Sequence, residues 1–237
     1  MRLAIVGAGR MGSWFARYFN GRGVELGIYD RSREKAYRLA STLNSKVVGG
    51  MGEAVKWADV ILLATPISVT PKLVLEAGEL GFEGTLIEIS SVKGKVHGYL
   101  ARLKGTTLSL HPLFGPGLEE YSRAKCLLIP VKDVEEELEA ARRLFPEFKF
   151  EVLGVEEHDR SVALTISTVY ALNLAYISLL LEDENAAKVE GTTGRVQRML
   201  ALAVLNDSPG LIAELVRENP YTPVCLLYTS PSPRDRG

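Results

Sequence analysis

The chain has 237 residues, 46% apolar and 24% charged, with a formal net charge of −1 at pH 7. That length holds one large domain or two smaller ones around a real core. The near-zero charge argues against nucleic acid or a membrane surface as a partner recruited by bulk electrostatics. The two cysteines, Cys126 and Cys225, form no CxxC pair, which argues against a disulfide framework or a cysteine metal site, and no metal is expected. The N-terminus MRLAIVGAG lacks a signal-peptide layout, because glycines interrupt its apolar run; a reducing cytoplasm is the expected compartment.

In chain order, RLAIVG reads as a short buried strand. MGSWFARYFNGRG follows as a helix, with Trp14, Phe15, Tyr18 and Phe19 at helical spacing and Gly21 and Gly23 as its stop. VELGIYD is a second strand, and SREKAYRLASTLN a helix with Ser32 as N-cap. KVVG, DVILLATP, TLIEIS and TTLSLHPL continue as strands, separated by helices over MGEAVKWA, 70–80 and KGKVHGYLARL. CLLIPV, the helix VEEELEAARRLF and the strand FKFEVLG close the first unit near Gly154. Alternating strands and helices imply right-handed crossovers and a Rossmann-type, doubly wound, mostly parallel sheet covered on both faces.

From Val155 onward the pattern is helical only, so an α/β domain over 1–154 followed by an all-helical domain over 155–224 is expected. Residues 161–181 carry no charge, a length that could span a bilayer. Eight of those 21 positions are polar and an acidic run follows, so the expectation is a central helix buried on most sides, at a subunit contact, and no membrane span. The last 13 residues, CLLYTSPSPRDRG, lose all periodicity and read as a non-native tail over 225–237; the chain is expected to be truncated at its C-terminus.

Gly7-Ala8-Gly9-Arg10-Met11-Gly12 is a GxGxxG placed directly after the first strand and opening the first helix. Gly7 permits the tight turn, Gly9 close approach of a pyrophosphate, and Gly12 helix–strand packing; the helix N–H groups then bind the anion. Asp30, at the end of the second strand, can accept hydrogen bonds from an adenosine ribose diol, which favours NAD. Arg31 and Arg33 follow at once and could hold a 2′-phosphate, so NADP stays open at this point.

Among three histidines, His97 reads as a surface or packing residue and His158 as a helix-start residue. His111 stands at the carboxyl end of the sixth strand, where ligands of open α/β sheets bind. Pro112 and Pro116 restrict its backbone, and Gly115 and Gly117 permit a ligand to approach. Held in this way, an imidazole suits acid–base chemistry; the alternative is a histidine that only caps a strand end. Ser90, Ser91 and Lys93 of ISSVKG would stand at the neighbouring strand's carboxyl edge, where a hydroxyl could bond the substrate or His111, or simply cap the next helix.

GAGRMG, IYD, SSVKG, HPLFGPG and EEHDR occur in this order in a chain that resembles the prephenate dehydrogenases of tyrosine biosynthesis, from residue 1 to about 220. HPLFGP resembles the HPMFGP of one branch of that family. The resemblance implies hydride transfer from prephenate to NAD(P), with oxidative decarboxylation to 4-hydroxyphenylpyruvate. It implies that His111 accepts the proton of the ring hydroxyl, that Ser91 assists it, and that Arg195, or else Arg198, binds a substrate carboxylate. Where many members carry a second histidine, this chain has Tyr170 or Asn173 as a substrate contact. A homodimer is implied for the full-length protein. Rival readings are an arogenate dehydrogenase, another NAD(P)-dependent oxidoreductase of Rossmann domain and helical tail, and a non-catalytic NAD-binding sensor or inactive fragment.

Overall fold

A computed structural model describes residues 1–228. The chain divides into two compact units, Met1–His158 and Asp159–Gly237.

The first unit runs β1 (Arg2–Val6), α1 (Arg10–Phe19), β2 (Glu25–Tyr29), α2 (Arg33–Leu43), β3 (Lys46–Val47), α3 (Met51–Trp57), β4 (Val60–Leu63), α4 (Thr70–Glu79), β5 (Thr85–Glu88), α5 (Gly94–Leu100), β6 (Thr107–Pro112), β7 (Lys125–Ile129), α6 (Val134–Leu144) and β8 (Lys149–Val152), and it ends within α7 (Val155–Val162). The strands form one sheet in the order β3-β2-β1-β4-β5-β6-β7-β8. Every neighbouring pair is parallel except β6 and β7. That exception follows from the connection: residues 113–124 contain no crossover helix, only a single 3-10 turn at Tyr121–Arg123, and parallel pairing needs a crossover. The result is the mostly parallel Rossmann-type sheet that the alternating pattern predicts.

Two apolar clusters cover the two faces. Leu3 and Ile5 of β1 belong to one, Ala4 and Val6 to the other, as the two-residue period of a doubly covered strand requires. On the first face α1 contributes Trp14, Phe15, Tyr18 and Phe19, all buried at helical spacing. Local signals fix the helix ends. The Ser32 hydroxyl accepts the Lys35 N–H at the start of α2, and Asn44 closes that helix with φ 49. The Asp133 carboxylate accepts the N–H groups of Glu135 and Glu136 at the start of α6.

The sheet changes direction of winding at β1: β2 and β3 lie on one side, β4 onward on the other. In open α/β sheets the crevice at such a switch point, beyond the strand carboxyl ends, receives the ligand.

The second unit continues α7 through a π-helical turn, Ala163–Ser167, into α8 (Thr168–Glu182), followed by α9 (Thr192–Leu205), α10 (Pro209–Glu218) and α11 (Thr222–Tyr228). Its polar residues tie the helices together. Ser167 donates to the Leu215 carbonyl at 2.7 Å, and Asn219 Nδ2 to the Asp159 carbonyl at 2.7 Å. The helix over Val155–Glu182 departs from the expectation of burial on most sides: only 17% of its most apolar window is buried. The packed helices cover one stripe and leave Leu164, Leu172, Leu179 and Leu181 exposed. By length and composition alone that helix is long and apolar enough to cross a membrane. Of the tail expected over 225–237, residues 225–228 fall in α11 and 229–237 lie outside the described residues.

Candidate active site

The turn from β1 into α1 is shaped by its glycines. Gly7 has φ +105, and a Cβ there would lie 2.3 Å from the Ala64 carbonyl oxygen. A Cβ on Gly12 would meet the Gly7 carbonyl oxygen at 1.8 Å, so only glycine lets α1 start this close to the strand. At Gly9 a Cβ would point into open space, the room an incoming phosphate needs. No side chain caps the start of α1, so the first-turn amides of Met11 and Gly12 are left for an anion. Ala8 and Arg10 complete the loop, with Arg10 exposed.

Asp30 follows β2. One carboxylate oxygen accepts the Ala8 N–H at 2.7 Å and the other accepts the Ser32 N–H at 2.8 Å. Two backbone donors thus fix the carboxylate beside the glycine loop, and its remaining lone pairs are available to a ribose diol. Arg31 and Arg33 are exposed beside it. The loop and the carboxylate together fit a dinucleotide.

His111 is the penultimate residue of β6, next to Pro112, and is only 5% exposed. Its Nδ1 is 2.8 Å from Nε2 of His158, a fully buried residue of α7, with the rings edge-on at 5.0 Å. Beneath the pair lies a buried charge network. Lys93 Nζ is 2.6 Å from Glu88 Oε1 and donates to the Leu110 carbonyl at 2.6 Å, with both charged side chains inaccessible. Glu88 also accepts the Ser109 hydroxyl at 2.5 Å and the Ser90 N–H at 2.8 Å. An ion pair this deep persists only with its lone pairs and protons satisfied, and here the strand ends supply the partners. Burial, then the nearby Lys93 ammonium, then His158 hold the His111 imidazole well below its ordinary pKa of 6.5. It is therefore neutral near pH 7 and able to accept a proton. Burial pushes the neighbouring Cys126 thiol up to about 12, which rules it out as a thiolate nucleophile.

The family match covers Asp30, Glu88, Lys93 and His111 and lies between the glycine loop and His158. Residues 15–153, more than half of the chain, match the family model described as prephenate dehydrogenase, nucleotide-binding domain. The chain belongs to the prephenate dehydrogenase nucleotide-binding family. A relative named "Probable arogenate/prephenate dehydrogenase", from Methanocaldococcus jannaschii, is 26% identical over 228 residues. That alignment takes in 92% of this chain and 49% of the relative, so the chain spans about half the relative's length. Among solved structures, the prephenate dehydrogenase of A. aeolicus in complex with hydroxyphenyl propionate and NAD+ shares the fold. It has a TM-score of 0.82 at 18% identity, covering 97% of this chain and 86% of that one. The Synechocystis arogenate dehydrogenase has a TM-score of 0.75 at 18% identity, covering 97% and 88%.

In this member of the prephenate dehydrogenase family, the expected residues that the structure brings together are the glycine loop and Asp30. Ser91 is half-buried one position from Ser90, and among the described residues no hydrogen bond joins it to His111. The Ser90 hydroxyl is buried without a partner among those residues. In the helical unit, Tyr170 donates to Asp207, and Asn173 accepts from Gln197 at 2.8 Å while donating to the Val169 carbonyl. Arg198 makes two short bonds to Glu190, at 2.6 and 2.8 Å. Arg195 is 69% exposed and only 4.0 Å from the same carboxylate, so it is the better placed of the two to take another anion.

Two residues of the His111 environment escaped the sequence reading. His158, by sequence a helix-start residue, pairs with His111. Glu88 is the one charge in the apolar strand TLIEIS; a lone charge in a buried strand demands a buried partner, and that was the available signal for Lys93.

Proposed function

We propose that this chain oxidises and decarboxylates prephenate to 4-hydroxyphenylpyruvate with NAD as cofactor. The observation that carries the reading is a buried imidazole at the carboxyl end of β6, in a sheet whose β1–α1 turn fits a pyrophosphate. Bound NAD supplies the nicotinamide that takes up a hydride from C4 of the cyclohexadiene ring. His111 accepts the C4 hydroxyl proton as the ring carbonyl forms, with Ser91 assisting. The C1 carboxylate then leaves as carbon dioxide, its electron pair enters the ring, and the oxygen, now a phenolate, takes one proton back. Aromatisation drives that loss, so no decarboxylating base is required. Arg195 binds a substrate carboxylate, and Tyr170 and Asn173 contribute polar contacts. Asp30, pinned by two backbone amides, would set a negative charge against a 2′-phosphate, which supports NAD over NADP. The exposed apolar residues of α8 and α9 supply surface for a homodimer.

Arogenate is the second reading, supported by the names of the two arogenate-linked relatives. It differs from prephenate in carrying an amino group in place of the keto group. Absorbance of the reduced cofactor, followed with prephenate or arogenate and with NAD or NADP, separates the four combinations; prephenate with NAD is expected to be fastest. NAD binding without turnover of either substrate would leave a nucleotide-binding sensor and end the oxidation reading.

A further inference from the structure

We propose that His158 is a positioning residue that holds His111 in its Nδ1–H tautomer, leaving Nε2 as the proton-accepting nitrogen. The inference rests on the reading of His111 as the proton acceptor and extends it to the residue that its ring touches. The geometry is a hydrogen bond of 2.8 Å between His111 Nδ1 and His158 Nε2, with both rings buried. Each neutral imidazole has one donor and one acceptor nitrogen, so the bond has two possible directions. If His158 donated, His111 would carry its proton on Nε2 and could only donate to the substrate hydroxyl. If His111 donates from Nδ1, its Nε2 lone pair is free to accept the hydroxyl proton. Only the second direction serves the oxidation.

The choice of partner matters as well as its position. A carboxylate at the same place would fix the same tautomer but would stabilise the imidazolium. A His158 that accepts through Nε2 holds the Nδ1–H tautomer without adding a negative charge. The charged and titratable groups around His111 are Lys93 before α5, Glu88 on β5, Cys126 on β7 and His158 on α7; Glu88 is spent on Lys93, Ser109 and Ser90. Glu88 is thus engaged elsewhere, so the imidazolium formed in the reaction gains no partner from the β5 carboxylate.

His97 supplies an internal standard. Its Nε2 is 2.8 Å from the Pro130 carbonyl oxygen, which can only accept, so His97 is an Nε2–H tautomer. With three histidines in the chain, long-range ¹H–¹⁵N spectra of the whole protein resolve the rings one by one. The expected pattern is Nε2–H for His97 and Nδ1–H for His111. His158→Leu should move His111 to the Nε2–H form or to a mixture. It should also lower kcat at least tenfold, a share of the roughly 10²–10⁴-fold that a general base contributes, with KM nearly unchanged. His158→Gln, which keeps an acceptor at the same reach, should restore much of the loss, and His158→Glu should shift the acid limb of the kcat/KM profile to higher pH. An Nε2–H signal for His111 in the unaltered protein overturns the proposal, and that measurement needs no variant to fold. The spectra require no substrate, so a wrong tautomer leaves the oxidation reading standing, whereas undiminished turnover in His111→Ala sinks that reading with the tautomer intact.

Discussion

The two units of this chain treat apolar surface in opposite ways. In the α/β unit nearly every apolar residue of β1, β4, β5 and β6 is sealed into one of two clusters, and the buried Glu88–Lys93 pair is bonded by groups of the strand ends. In the helical unit Leu179 and Leu181 of α8 and Val196 and Met199 of α9 stand in the open, Leu181 at 82% exposure. The difference separates two uses of sequence. One unit spends its hydrophobic residues on rigidity, because a nucleotide loop and an imidazole must stay within fractions of an ångström of working geometry. The other keeps apolar faces available for a surface outside itself.

The largest expected effect breaks the chemistry and spares the frame. His111→Ala should lower turnover by about 10²–10⁴-fold while NAD affinity, followed by fluorescence titration, holds. Loss of both together would mean that the imidazole supports the fold of the site and not its chemistry.

Gly12→Ala tests the rigid frame itself. Its Cβ would sit 1.8 Å from the Gly7 carbonyl oxygen, so α1 has to lift from the strand. An overpacking cost of about 1–3 kcal/mol should appear as roughly a 5- to 150-fold loss of NAD affinity. Unchanged affinity would show that the loop has slack.

Acid should weaken the α/β unit through His111. Its folded pKa lies below the unfolded value of 6.5, so below that pH the unfolded chain takes up a proton that the native state refuses. Stability, complete above pH 6.5, should then fall with pH by up to about 1.4 kcal/mol per unit until the folded pKa is reached. Urea unfolding at pH 7 and pH 5.5 measures the slope, and His111→Gln should flatten it. An identical slope in the variant would place the acid sensitivity elsewhere.

The smallest effect on folding belongs to the open face. Leu179→Glu with Leu181→Glu should change unfolding free energy by less than about 0.5 kcal/mol, as exposed positions do. In sedimentation the same pair, placed in the full-length protein, should convert the proposed homodimer to a monomer. A sedimentation profile that does not respond removes α8 from the dimer contact.

The α/β frame was legible from residues 1–154 because its signals are local and agree. Strand period, glycine turn, Ser32 cap and Asp30 all sit where nearby chemistry dictates. His111 was legible for a related reason: prolines and glycines flank it at a strand end. What escaped was long-range. His158 lies 47 positions from His111, and nothing in EEHDR distinguishes a helix-start histidine from a partner to another ring. The antiparallel turn of β7 was likewise hidden, since an apolar run such as CLLIPV has no direction until it is paired. In the helical unit, an uncharged stretch looks the same whether its outer face is sealed by its own chain or by a second surface. That is why the burial expected for 161–181 failed.

The two margins of the sheet carry one more lesson. β3 is only two residues long, and β8 presents the exposed charges Lys149 and Glu151. Short or charged borders refuse an added strand, and so close the route by which sheets zip into one another and form fibres. Neither margin therefore offers an incoming chain a long, uncharged ladder to copy.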